Sequence, residues 1–309
     1  MQFGPILSVL ADPILPVFAI VVLGWIMGRA GAISQDDARV INRFAMTLLL
    51  PIMVFGIITD APFSGFDPRM LLAYFLAEIV VFAFGFWLAR RVFGRGAGES
   101  VLLGFCGLFA NNAMYVLPIA NILYGPGNAV PITMIVALDA VFAFGAATVA
   151  LQMIRVGRVA VGTILGGFAR TGILWGIGLG VLVAAMGWDL GRPARTFLDF
   201  NGAAAAPVSL FAMGVVMART PMRPDRVVAL FAAIKLFVLP VLVWLAMVAL
   251  IGGNPLADTY ARMFLMGAAG PTGVMAFSMA LLYDVKTDTI LQVILWTCLL
   301  SLLSLAVLA

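Results

Sequence analysis

The stretch "GLFANNAMYVLP", Gly107 to Pro118, sits inside a run that otherwise reads as a membrane-spanning helix, from Val101 to about Leu123. Two adjacent amides, Asn111 and Asn112, fall near its middle, and a proline follows six residues after the second. A proline inside a helix costs about 3 kcal/mol. Unpaired backbone groups in hydrocarbon cost several more apiece, so such a break persists only where protein or a water-filled cavity satisfies them. Whether the surroundings are lipid decides the fold.

Composition answers that. Of the 309 residues, 64% are hydrophobic and 10% charged, with a mean hydropathy of +1.14. A soluble domain of this size does not bury such a chain, so its bulk is solvated by a lipid bilayer. Histidine is absent, which removes the usual proton shuttle and the commonest metal ligand. The two cysteines, Cys106 and Cys298, lie in apolar runs and read as small hydrophobes, so neither a metal nor another cofactor is expected. The net charge of +4 reads as loop charge that orients the chain, with no nucleic-acid partner. Met1 to Asp12 holds no basic residue ahead of the first apolar core, so that core reads as a retained span, not as a cleaved signal.

Apolar runs bounded by charge, Pro or Gly clusters predict ten spans: 13–29, 41–59, 69–89, 101–123, 130–152, 171–188, 198–217, 227–250, 260–283 and 288–308. Loops after odd-numbered spans hold thirteen Arg and Lys residues, against four in the ends and the even loops. That bias puts the odd loops in the cytoplasm and both termini on the periplasmic side of a bacterial inner membrane. The longest linker, 155–170, divides the chain into halves, 1–154 and 171–309.

The halves resemble each other. "ARVINRFAMTLLLPIMVF" (Ala38 to Phe55) and "ARTFLDFNGAAAAPVSLF" (Ala194 to Phe211) share Ala, Arg, Phe, Pro and Phe at a constant offset of 156. Pro68 and Pro224 keep that offset, and Tyr124 and Tyr283 close the fourth and ninth spans 159 apart. Five spans per half is an odd number, so the second half enters from the opposite side: an inverted repeat, the usual construction of secondary transporters.

The partner of the opening stretch is "MGAAGPTGVMAF", Met266 to Phe277, with Asn112 aligned on Pro271. Each half therefore carries one discontinuous span, and the two are expected to cross at mid-depth. Free N–H groups and partial positive charge at half-helix starts suit an anion. Asn111, Asn112 and Thr272 add side-chain donors, with Tyr115, Pro118, Gly270 and Pro271 beside them as substrate-binding candidates. The competing reading is that the asparagines merely bond to a neighbouring helix and Pro271 merely kinks one.

Glu78, Asp139 and Lys235 lie well inside the third, fifth and eighth spans. A charge there costs roughly 2.5–3.5 kcal/mol on an insertion scale, so each needs a partner or water. The offset sets Glu78 opposite Ile234, next to Lys235. Two readings stand: an ion pair that fixes packing, or proton or ion coupling through Glu78 or Asp139 with Lys235 holding the carboxylates or an anion. Gly172, Gly176 and Gly180 predict a close helix contact in the sixth span.

With Asn111 seven residues before Pro118, "ILYG" at Ile122 to Gly125, and Pro271, Gly273, Phe277, Ala280 and Tyr283 in the second half, the chain resembles the auxin efflux carrier family. That family includes the plant PIN proteins and bacterial carriers for malonate and malate. The resemblance implies an all-α membrane fold of ten helices in two inverted five-helix repeats, related to sodium/proton antiporters and bile-acid symporters. It implies a scaffold from spans 1, 2, 6 and 7, a moving transport core from spans 3–5 and 8–10, crossover prolines at Pro118 and Pro271, a substrate-contacting Asn111, and a homodimer. "GPTGVM" departs from the family pattern, with no amide near Pro271. The expected activity is elevator-type secondary transport of small organic anions such as malonate, malate or auxin-like acids. A sodium-coupled symporter and a non-transporting membrane sensor or subunit are the alternatives. No histidine, Ser–Lys or paired-Asp motif supports an enzyme.

Overall fold

The computed structural model describes residues 15–59, 67–125, 129–156, 172–220 and 223–308, so the first fourteen residues and nearly all of the predicted linker 155–170 lie outside it. The described residues are helical throughout, apart from turns and one isolated bridge between two backbone segments. In chain order the helices are α1 (Leu15–Arg29), α2 (Gln35–Thr59), α3 (Pro68–Val92), α4 (Ala97–Leu108), α5 (Leu117–Tyr124) and α6 (Val130–Arg155). They continue with α7 (Gly172–Met186), α8 (Gly191–Met217), α9 (Arg226–Ile251), α10 (Thr259–Ala269), α11 (Met275–Leu282) and α12 (Asp288–Leu308). Six of them (α2, α3, α6, α8, α9 and α12) are long and apolar enough to cross a bilayer, and the rest are shorter.

Local chemistry sets the ends. Ser34 and Asp37 form a reciprocal capping box at the start of α2. Asp67, Asp225 and Asp258 each accept a first-turn N–H of α3, α9 and α10. Gly125 and Gly252 close their helices at φ +89° and +81°, where a side chain would be strained.

Prolines set the irregularities inside the long helices. Pro51, Pro118 and Pro240 each directly follow a five-residue π turn, at Ala45–Leu49, Asn112–Val116 and Ile234–Val238. A proline has no N–H to give and its ring crowds the carbonyl four residues back. That carbonyl belongs to Thr47, Met114 and Leu236 respectively, inside the widened turn in each case. Pro207 acts similarly: α8 is interrupted by a turn at Ala204. A fourth internal π turn, Asp139–Ala143, has no proline behind it.

The helices gather in two groups. α1 packs on the second half of α8, and α2 packs on α7 and on both halves of α8. Glycines let these backbones touch: a methyl added at Gly24 would lie 2.1 Å from the Phe211 carbonyl oxygen, and one at Gly214 would lie 2.0 Å from that of Val21. The spaced glycines of α7 behave likewise, with Gly176 against the Pro51 carbonyl and Gly180 against Ile58. In the second group α3 packs on α4 and α9, α9 on α10 and α12, and α10 on α6. A small apolar cluster joins the groups, with Leu50, Val54, Ile58 and Ala205 from the first meeting Met114 and Val136 from the second.

Candidate functional site

Two helical runs are broken, and the breaks meet. The first lies between α4 and the π turn at Asn112, with Phe109 and Asn111 out of helical geometry (ψ 109° and 52°). The second lies between α10 and α11, where Gly270 is extended. Ala110 and Thr272 form an antiparallel bridge. Asn111 N–H donates to the Pro271 carbonyl at 2.7 Å, and Gly273 N–H to the Phe109 carbonyl at 3.0 Å. Phe109 lies flat against Gly273, where a Cβ would come within 2.5 Å of the ring.

Neighbouring helices satisfy much of the backbone that the breaks release. The Lys235 ammonium donates to the Ala268 carbonyl at 2.6 Å, and the Ser304 hydroxyl to that of Ala269 at 2.9 Å. Both carbonyls belong to the last turn of α10, where partial negative charge favours a cation. Thr272 N–H donates to Thr297 Oγ1 at 3.1 Å, and the Thr272 hydroxyl donates to the Cys106 carbonyl at 2.9 Å. Both Thr272 donors are thus committed within the protein, and the residue is fully buried.

The asparagines differ. Asn111 Nδ2 reaches only the Met213 sulfur, at 3.9 Å. Asn112 is 1% exposed, and its amide makes no well-formed hydrogen bond within the protein, with the Tyr74 hydroxyl and the Asp139 carboxylate beside it. Both asparagines line a cavity of about 60 Å³ that also has Asp139, Ala113, Gly273 and Met275 on its wall. That is roughly the room of four water molecules at about 15 Å³ each. The helical segments that begin at Asn112 and Met275 start on this wall, although Ala276 N–H and Phe277 N–H already donate to the Gly273 and Val274 carbonyls.

Asp139 is 2% exposed, and neither carboxylate oxygen has a protein hydrogen bond. Glu78 is equally buried, with Oε1 unpartnered. Lys235, Glu78, Asp139 and the Tyr74 hydroxyl lie within electrostatic reach of one another. The direct ion pair open on sequence grounds does not form among the described residues: the Lys235 ammonium is bound to the α10 carbonyl instead. An unpaired carboxylate is costly to bury, which sets this cluster apart from the apolar core around it.

Among the predicted substrate residues, the cavity wall holds Asn111 and Asn112 and leaves out Tyr115, Pro118, Gly270, Pro271 and Thr272. Pro118 follows the π turn within one continuous helical run, where its missing N–H is accommodated by the widened turn, and the Tyr115 hydroxyl is buried without a partner. Met46, Phe109 and Met275 are wall residues that sequence reasoning passed over. Their signal was Pro51: its π turn turns Met46 towards the break.

Comparison with known proteins places this arrangement. The model of a family described as "Membrane transport protein" matches residues 9–161 and 169–309, nearly the whole chain. The chain belongs to this family, the auxin efflux carriers. It is 24% identical over 298 residues to a protein of Rhizobium meliloti (strain 1021) named "Putative malonate transporter", covering 93% of this chain and 91% of that one. It is also 24% identical over 291 residues to the "Uncharacterized transporter YfdV" of Escherichia coli (strain K12), with 89% of each chain covered, and equally to that of Shigella flexneri. Membership makes the chain a multi-pass membrane transport protein, which argues against an enzyme.

Proposed function

We propose that this carrier moves small carboxylate anions, of which malonate is the first candidate, across the bacterial inner membrane by alternating access. The observation that carries the reading is the meeting of two helix breaks around a cavity lined by a buried Asn112 amide that makes no well-formed hydrogen bond within the protein. Side-chain amide donors there would hold a carboxylate without a fixed positive charge, which keeps binding reversible. The Rhizobium relative's name points to the same substrate class.

Counting α4 with α5, and α10 with α11, as single crossings gives ten spans, which we assign to two inverted repeats, 1–154 and 171–309, joined by the linker 155–170. α1, α2, α7 and α8 would form the scaffold, paired in a homodimer, and the other helices the moving core. The shallow apolar contact of Leu50, Val54 and Ala205 with Met114 and Val136 is a surface on which such groups slide. Asp139, on the cavity wall, with Glu78 and Lys235 behind it, would couple a proton to the anion.

Counterflow in proteoliposomes loaded with unlabelled malonate tests this. Labelled malonate should accumulate, with competition by other small dicarboxylates, and Asn111→Ala or Asn112→Ala should abolish it in folded protein. Failure of every acid in a panel of mono-, di- and indole carboxylates would overturn the reading. Glu78→Gln and Asp139→Asn should flatten the dependence of uptake on a pH gradient.

A further inference from the structure

A second, larger cleft of about 510 Å³ opens beside the crossover cavity, and Met46, Val274 and Met275 line both. One side of it is a face of α2 that carries Arg39, Asn42, Arg43, Met46 and Thr47, the spacing of a single helical stripe. The stripe continues to Leu50, on the wall of the inner cavity. A track therefore descends one helix face from two arginines to the two asparagines. The opposite side, from the second half of α8 and from α11, contributes no charged residue.

The two arginines are not equivalent. Arg39 is paired with Asp36 at 2.8 Å on the exposed surface. Arg43 is exposed and has no acidic partner among the described residues. The other charged lining residue, Arg39, is held by Asp36, so the charge of Arg43 stands over largely apolar walls, which focus its field on an entering ion. A guanidinium fork also matches a carboxylate in geometry. Two of the three elements around the cleft end at arginine-rich stretches, Arg29 to Arg43 and Arg219 to Arg226, and the third leads into the short loop with Lys286, Asp284 and Asp288. The packed cluster of Leu50, Val54, Met114, Val136 and Ala205 borders the cavity through Leu50, Met114 and Val136.

We propose that this cleft is the cytoplasmic vestibule of the carrier, where Arg43 and Asn42 collect a small carboxylate anion and pass it by Met46 to Asn111 and Asn112. The inference rests on the anion-carrier reading above and adds to it a recruiting residue and a side. In this structure the transport path is open to the cytoplasm.

Inside-out vesicles with malonate presented to the arginine-rich face test it. Arg43→Gln should raise KM about tenfold with Vmax largely kept, and Arg43→Lys should fall between. Wild-type KM should climb with added salt, and the climb should be weaker in Arg43→Gln. A parallel measurement needs no transport. Ser278→Cys, in the vestibule wall, should react with a membrane-impermeant maleimide from the cytoplasmic face only, and malonate should slow the reaction. Cys106 and Cys298 are buried and leave that signal clean. Malonate exchange with unchanged KM and salt dependence in Arg43→Gln, or labelling of Ser278→Cys from the periplasmic face, overturns the vestibule and leaves the carrier reading standing. Absence of exchange of any carboxylate by the wild-type protein overturns the carrier reading itself.

Discussion

The two breaks that meet at Ala110 and Thr272 are built for different purposes. Around the second, Lys235, Ser304 and Thr297 each take up a released backbone group, and Thr272 is bonded through both of its donors. Around the first, the Asn112 amide lies buried with no well-formed hydrogen bond within the protein, and Asn111 has only a weak contact to sulfur. One break is architecture; the other is left unfinished at the cavity wall. Buried polar groups are normally satisfied, and this asymmetry is what supports our proposal that a ligand binds at the first break.

Substitutions can break this contrast, and the largest effect belongs to the architectural side. Lys235→Met leaves the Ala268 carbonyl bare and takes the one cation that the described residues place near Glu78 and Asp139. It should lower stability by about 3–5 kcal/mol, read as a fall in the thermal midpoint in detergent. Adding Glu78→Gln and Asp139→Asn should recover part of that loss. An unchanged midpoint for Lys235→Met would mean that the ammonium is not needed at the α10 end.

Gly273→Ala comes next, because its methyl would press into the Phe109 ring. Overpacking of this kind costs about 1–3 kcal/mol, and Phe109→Leu in the same chain should relieve it. If the second change brings no recovery, the two segments do not rest on each other as described.

The smallest stability effect should come with the largest functional one. Thr297→Val strands the Thr272 N–H and should cost about 1–3 kcal/mol, with anion exchange retained at temperatures where the protein is folded. Asn112→Leu replaces an amide without a well-formed hydrogen bond by an apolar group of similar size. Its stability should change by less than about 1 kcal/mol, yet exchange should vanish. Comparing thermal midpoints and counterflow for this pair sharpens the distinction; an Asn112→Leu protein that melts early and still transports would reverse it.

Much of this was legible in the chain. Apolar runs placed the helices closely: the last was expected at 288–308 and is Asp288–Leu308. Hydrocarbon demands long uninterrupted apolar stretches, so hydropathy is a strong signal. Both breaks could be read too, since Asn111–Asn112 and Gly270–Pro271 are the residues that a lipid-facing helix avoids. The π turns were harder. They keep the helical pattern but add a residue per turn, so periodicity does not reveal them, and they rotate Met46, Asp139 and Lys235 to faces that a uniform helix would not give. Thr272 illustrates the same limit: its hydroxyl reads as a free donor until the Cys106 carbonyl, 166 residues away in sequence, is found 2.9 Å from it.

By itself, then, the sequence determined that the chain lives in a bilayer, where its helices run, and that each half carries one interruption. Solvation dictates these things locally, residue by residue. Which released groups are satisfied, which amide is left over, and that Lys235 binds a helix end instead of a carboxylate were decided only by tertiary structure. Those outcomes depend on distances of a few ångströms between segments far apart in the chain, and no local preference encodes them.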